Sequence, residues 1–205
     1  MLIKLYSENP NARHVQQIVE ALQAGGIIIY PTDTVYAMGC DIYQHRAVER
    51  VAQIKGLRAD KARFSLICSD LSNISDFSRP FSTTVYKAMK KALPGPYTFI
   101  LNANNQVPKL FQSKKKTVGI RVPDNNIIRE IVRQLGNPVV STSIYEDEEA
   151  LEYATDPELI HEQYGDQIDF VIDGGYGGQE PSTVIDCTGQ EMELIRQGKG
   201  SIEGI

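Results

Sequence analysis

The residues best equipped for chemistry are hydroxyls gathered in three short runs, Pro31-Thr32-Asp33-Thr34, Ser141-Thr142-Ser143 and Ser182-Thr183, each at the end of a segment that reads as a β-strand. A hydroxyl donates to a phosphate or carboxylate oxygen without the desolvation cost of a fixed charge. Several of them converging with Lys or Arg would make a pocket for an anionic small molecule. Arg121 lies inside a strand-like run that ends at Pro123, where a charged side chain faces either solvent or such a ligand. The connector 55–63 adds Lys55, Arg58, Lys61 and Arg63, a basic density unusual between two apolar elements. Asp33 is the carboxylate of the first hydroxyl run, and no residue supplies an obvious general base.

These groups need elements to position them. The stretch GGIIIYPTDTVYAMGCD, residues 25–41, reads as a short buried strand over 27–30 that stops at Pro31. In an open α/β sheet the space beyond a strand's carboxyl end is where ligands commonly sit, so 31–34 is a candidate site lip; an ordinary proline turn is the competing reading. Apolar residues at spacings of three and four predict helices over 11–24, 46–54, 83–93 and 125–135, and Asp156-Pro157 predicts a helix start running to 164. Further strands are expected at 64–68, 97–101, 118–122, 139–143, 170–172, 183–186 and 193–195. Helices interleaved with short strands imply an α/β domain with a twisted mixed sheet. The acidic run 146–149 is the expected mobile loop.

Composition narrows the function classes. A chain of 205 residues, 41% hydrophobic and 23% charged, suits one domain. Cys40, Cys68 and Cys187 are widely spaced without a CxxC pair, and His14, His45 and His161 show no metal-ligand spacing, so neither a disulfide framework nor a protein-built metal site is expected. No apolar run approaches the roughly 20 residues of a membrane helix, and the N-terminal segment lacks a signal core; a soluble, cytoplasmic protein is expected. Net charge is −5, but residues 46–133 carry 17 Lys plus Arg against 6 Asp plus Glu, while the remainder carries 4 against 20. That basic middle either attracts phosphates or is a solvated, charge-balanced surface. Neither GxxxxGK[ST] nor GxGxxG occurs after a strand, so a nucleotide would need another scaffold.

With these residues in view, the chain resembles the YrdC/YciO family. The 25–41 stretch is similar to that family's opening strand and loop, and the similarity continues in order through PGPYT (94–98), GIRVP (119–123), PVVSTS (138–143), STVID (182–186) and IRQG (195–198), spanning about 13–198. The resemblance implies a single YrdC-like domain over 1–205, with a twisted mixed sheet, flanking helices and a concave basic cavity. It implies threonylcarbamoyl-AMP synthase-like chemistry, a nucleotidyl transfer in the pathway to threonylcarbamoyladenosine in tRNA, with ATP, L-threonine and bicarbonate as substrates and Mg²⁺ accompanying ATP. By the same resemblance Thr32, Thr34 and Tyr36 would line the amino-acid site. Lys55, Lys61, Arg121, Ser141, Ser143, Ser182 and Arg196 would hold the nucleotide. The alternative it implies is a protein that binds double-stranded RNA or tRNA without synthase activity.

Two hallmarks depart from the enzymatic pattern. Lys55 matches the lysine of the KxR motif, but Leu57 stands where its arginine belongs and Arg58 follows one place late as a candidate substitute; Ser143 matches the serine of SxN, but Tyr145 takes the asparagine position. Leucine cannot make arginine's bidentate contact, and tyrosine lacks an amide's paired donor and acceptor. Losing both resembles the YciO branch.

Overall fold

The computed structural model describes residues 1–57, 64–108, 116–144, 154–203 and 205. Arg58, Lys61, Tyr145 and the acidic run 146–149 lie outside the described residues. The described chain forms strands β1 (Leu2–Lys4), β2 (Ile28–Tyr30), β3 (Ala37–Asp41), β4 (Ser65–Ile67), β5 (Tyr97–Asn102), β6 (Thr117–Arg121), β7 (Val139–Ser143), β8 (Phe170–Asp173), β9 (Thr183–Asp186) and β10 (Glu193–Arg196). The helices are α1 (Ala12–Gln23), α2 (His45–Ile54), α3 (Thr83–Ala92), α4 (Asn126–Leu135) and α5 (Pro157–Tyr164), with one 3₁₀ turn at Ile74–Asp76.

One mixed sheet runs in the order β1-β8-β2-β3-β7-β4-β6-β5-β9-β10. Sequence patterning finds every helix and eight of these strands, and misses β1 and β3. β1 has only three residues, too few to show a period. β3, Ala-Met-Gly-Cys-Asp, is buried at every position and so lacks the alternation that marks a half-solvated strand. Helix ends follow local chemistry. The Asn11 side chain caps α1 by accepting from the amides of Arg13 and His14, Asn125 does the same for α4, and Gly136 ends α4 at φ 76°.

The two sheet faces differ in a way that defines the site. On one face a cross-strand row reads Cys40, Val140, Leu66, Ile120, Phe99, Ile185, Leu194. This apolar face packs under α2, α3 and α5, which contribute Val48, Val51, Val85, Met89 and Ile160 to one core. The neighbouring row, on the other face, reads Gly39, Ser141, Ser65, Gly119, Ile100, Asp186. Helices α1 and α4 cover this second face over β1, β8, β2 and β3, where Ile3, Ile172, Ile28 and Tyr30 meet Ile18, Leu22, Ile128 and Ile131. Beyond them Ser65, Thr117, Gly119, Ile100 and Val184 stay half-exposed. Here β4, β6, β5 and β9, paired parallel, antiparallel and parallel in turn, carry a floor of mostly small residues on this face.

Candidate functional site

Loop 31–36, between β2 and β3, turns over the edge of that floor. Thr32 Oγ1 donates to the Val35 carbonyl at 2.7 Å and accepts from the Thr34 amide at 3.0 Å. The two threonine hydroxyls are 3.0 Å apart, and with the Thr32 hydrogen committed to Val35, Thr34 donates in that contact. Both are buried, so their hydroxyls shape the loop from within. Tyr36 is likewise fully buried: its hydroxyl donates to the Gly175 carbonyl at 2.7 Å and accepts from the Gly174 amide at 3.2 Å, binding loop 31–36 to the glycine-rich turn after β8.

Arg121 ends β6 on the floor side. One guanidinium nitrogen, Nη2, donates to Asp33 Oδ1 and to Thr34 Oγ1, both at 3.0 Å. The second carboxylate oxygen of Asp33 accepts from the Asp124 amide at 3.0 Å. Both side chains of the pair are over nine-tenths buried, which excludes the solvent-facing reading of Arg121. Its Nε is buried without a partner. Burial pulls the guanidinium below its ordinary pKa, Asp33 opposes that pull, and the positive charge of Arg196 adds to it. The two arginines, on strands β6 and β10 in the same half of the sheet, therefore lie close enough to repel each other.

Arg196, at the end of β10, donates through Nε and Nη2 to the Ser182 carbonyl at 3.2 and 2.8 Å, with Nη2 also 3.4 Å from Ser182 Oγ. Ser182 and Thr98 share a hydroxyl hydrogen bond of 2.9 Å, both buried. Across the floor the Tyr30 hydroxyl donates to Ser141 Oγ at 2.6 Å, and burial raises the Tyr30 pKa well above the phenol range. Ser143 is half-buried at the end of β7, opposite Ala37. At the outer rim Lys55 Nζ donates to the Ile144 carbonyl at 3.2 Å, so the 55–57 segment stands beside 143–144; Leu57 is exposed there. The last cation is Lys199, whose Nζ donates to the Asp33 carbonyl at 2.6 Å.

The structure thus brings Thr34, Arg121, Ser182 and Arg196 to one end of the floor, and Ser141, Ser143 and Lys55 to the other. Sequence reasoning did not single out Thr98, Ser65 or Lys199. The first two carry a weak signal, small polar residues at alternating strand positions; Lys199 carries none beyond its Gly-Lys-Gly setting. A separate cavity of about 400 Å³, lined among others by Glu8, Asp70, Arg129, Glu130 and Arg133, includes none of the sequence-derived site residues. Among the described residues no group of three or more His, Cys, Asp or Glu side chains could hold a metal, and no helix is long and apolar enough to cross a membrane. Guanidinium groups held beside hydroxyls over an open floor suit recognition of an anionic ligand.

Comparison with known proteins agrees with this architecture. The Sua5/YciO/YrdC family model, described as "Telomere recombination", matches residues 20–198. The Escherichia coli K12 protein YciO is 41% identical over 201 residues, covering 97% of this chain and 96% of that protein, and the E. coli YciO crystal structure superposes with a TM-score of 0.89 over 99% of this chain and 98% of that one. A threonylcarbamoyl-AMP synthase of Marinobacter nauticus is 31% identical over 176 residues, 84% of this chain and 91% of that enzyme. P. abyssi Sua5 complexed with L-threonine shares the fold, with a TM-score of 0.86 at 24% identity over 97% of this chain and 57% of that one. With its single α/β domain and its motifs in order, the chain belongs to the Sua5/YciO/YrdC family.

Proposed function

We propose that the floor between loop 31–36 and β9 binds ATP and L-threonine and joins them, with bicarbonate, into threonylcarbamoyl-adenylate. The observation that carries this reading is the placement of Arg121 and Arg196 over an uncovered floor of small residues, in a chain 31% identical to a threonylcarbamoyl-AMP synthase. Threonine nitrogen attacks the bicarbonate carbon and water leaves, giving a carbamate. A carbamate oxygen then attacks the α-phosphorus, the bond to the bridging oxygen breaks, and pyrophosphate departs. Arg121, Arg196 and Lys55, with Lys61, position and neutralise the phosphates, and Ser141, Ser143 and Ser182 add hydroxyl contacts. Thr32, Thr34 and Tyr36 bound the amino-acid end by shape, their hydroxyls being engaged within the wall. Mg²⁺ enters with the nucleotide phosphates.

Leu57 in place of arginine removes a bidentate contact, and Tyr145 replaces an amide. Each charge-assisted hydrogen bond is worth about 1.5–3 kcal/mol, so turnover is expected to be orders of magnitude below that of a synthase with both motifs intact. The test is pyrophosphate release from ATP with threonine and bicarbonate; no product at high enzyme concentration would remove the reading. A second reading, binding of double-stranded RNA or tRNA without synthase chemistry, is supported by the exposed Lys87, Lys90 and Lys91 on α3. Those lysines belong to the helix layer on the sheet's opposite face, and affinity through them should fall steeply with salt.

A further inference from the structure

The residues just after β10 close the site in a way the family motifs do not describe. In the sheet order β2 and β9 are separated by five strands. Six steps of about 4.8 Å would place them about 29 Å apart in a flat sheet. Lys199 nevertheless reaches from the β9 side to the Asp33 carbonyl at 2.6 Å, because loop 31–36 extends across the floor as far as Arg121 of β6. The backbone on either side of Lys199 is fixed. Its own amide donates to the Pro181 carbonyl at 2.9 Å, the Gly198 amide donates to Thr183 Oγ1 at 3.0 Å, and Thr183 Oγ1 donates to the Gly200 carbonyl at 2.6 Å. Tyr97 secures the next residue by donating to the Ser201 carbonyl at 2.8 Å.

Charge is the second observation. Lys199 and Arg196 are both held by neutral oxygens, the Asp33 carbonyl and the Ser182 carbonyl and hydroxyl, and neither makes an ion pair among the described residues. Asp33 is the carboxylate bonded into the group, and Arg121 neutralises it. Among the described residues, two positive charges therefore have no ion-pair partner beside Arg121, whose buried Nε has no hydrogen-bond partner. Both side chains are exposed, so water screens their repulsion, and an incoming polyanion would meet them without a competing carboxylate partner among the described residues.

We propose that Lys199 is a further phosphate-binding cation of the site: it clasps loop 31–36 in the free protein and pairs with the polyphosphate of a bound nucleotide. This rests on the nucleotide reading above and extends it. An ammonium has three hydrogens, and the Asp33 carbonyl takes one. The substituents Lys199→Met and Lys199→Arg separate charge from packing. Binding of ATP and of inorganic tripolyphosphate is measured by calorimetry for the wild type and both variants, with melting temperature as the folding control. Lys199→Met should weaken both ligands on the order of tenfold, and Lys199→Arg should stay within about threefold of wild type. Equal affinity of Lys199→Met and wild type would overturn the clasp assignment and leave the nucleotide site standing. Tripolyphosphate binding that depends on Lys199, without ATP binding, would keep the assignment and remove the nucleotide reading. A wild type that binds neither ligand overturns both.

Discussion

Replacing Asp33 with alanine tests the centre of the site. The Asp33 and Arg121 side chains are 9% and 8% exposed and 3.0 Å apart, so their attraction is little screened by water. Asp33→Ala leaves a buried guanidinium whose Nε already lacks a partner, and strips the Asp124 amide of its acceptor. Removing one member of such a pair costs about 3–5 kcal/mol, because the remaining charge stays buried. With a urea m-value of about 3 kcal/mol per molar, the denaturation midpoint should fall by roughly 1–1.7 M. Arg121→Ala should also destabilise, and the double variant should lose clearly less than the sum of the two. A midpoint for Asp33→Ala within about 0.2 M of wild type, or strict additivity in the cycle, would show that the pair does not hold loop 31–36 to β6.

Three further outcomes follow from the geometry. Gly39→Ala would place its Cβ 2.4 Å from the Val140 carbonyl oxygen and 2.7 Å from Val139 Cγ1, and should cost about 1–3 kcal/mol by thermal or urea melting. Gly119→Ala meets Thr98 Cγ2 at 3.2 Å, Ser65 Cβ at 3.4 Å and Ser65 Cα at 3.8 Å, so it should fold nearly as well while raising the floor and weakening ATP binding in calorimetry; the reverse ranking of the two variants in stability would contradict the crowding assigned to Gly39. Burial raises the Asp41 carboxyl above its ordinary pKa, and a group raised on folding stabilises at low pH and loses that contribution as pH climbs through the raised value. Asp41→Asn, which keeps an acceptor for the Tyr43 amide, should therefore melt above wild type near pH 7, and the gain should vanish below about pH 4, where the acid is neutral in both states. A gain that persists at pH 3 would assign the effect to packing.

Much of the architecture was legible because periodicity reports burial. Val15, Ile18, Val19 and Leu22 lie on the buried face of α1, as their spacing implies. β6 reads as a strand because Val118 and Ile120 alternate with Thr117 and Gly119, and that same alternation separates core from floor. β3 was invisible because burial on both faces erases the pattern. Within the site, 31–34, Arg121 and Ser182 stood out by residue type at strand ends, whereas Tyr36 and Arg196 were named only through the family resemblance. What sequence could not show is that the Thr32 and Thr34 hydroxyls are committed to their own loop, since that depends on atoms three residues apart and on Arg121 arriving from β6. Lys199 was missed for a related reason: its partner lies 166 residues away, on a loop that only the tertiary fold brings within reach.

The most direct measurement is a crystal structure of the protein with ATP and L-threonine bound. The triphosphate should lie over Ser65 and Gly119 within hydrogen-bond distance of Arg196 and Lys199, with the threonine against loop 31–36. Nucleotide density confined to the Glu8–Arg129 cavity or to the lysines of α3, or no density on the floor at millimolar ATP, would contradict the assignment of this site.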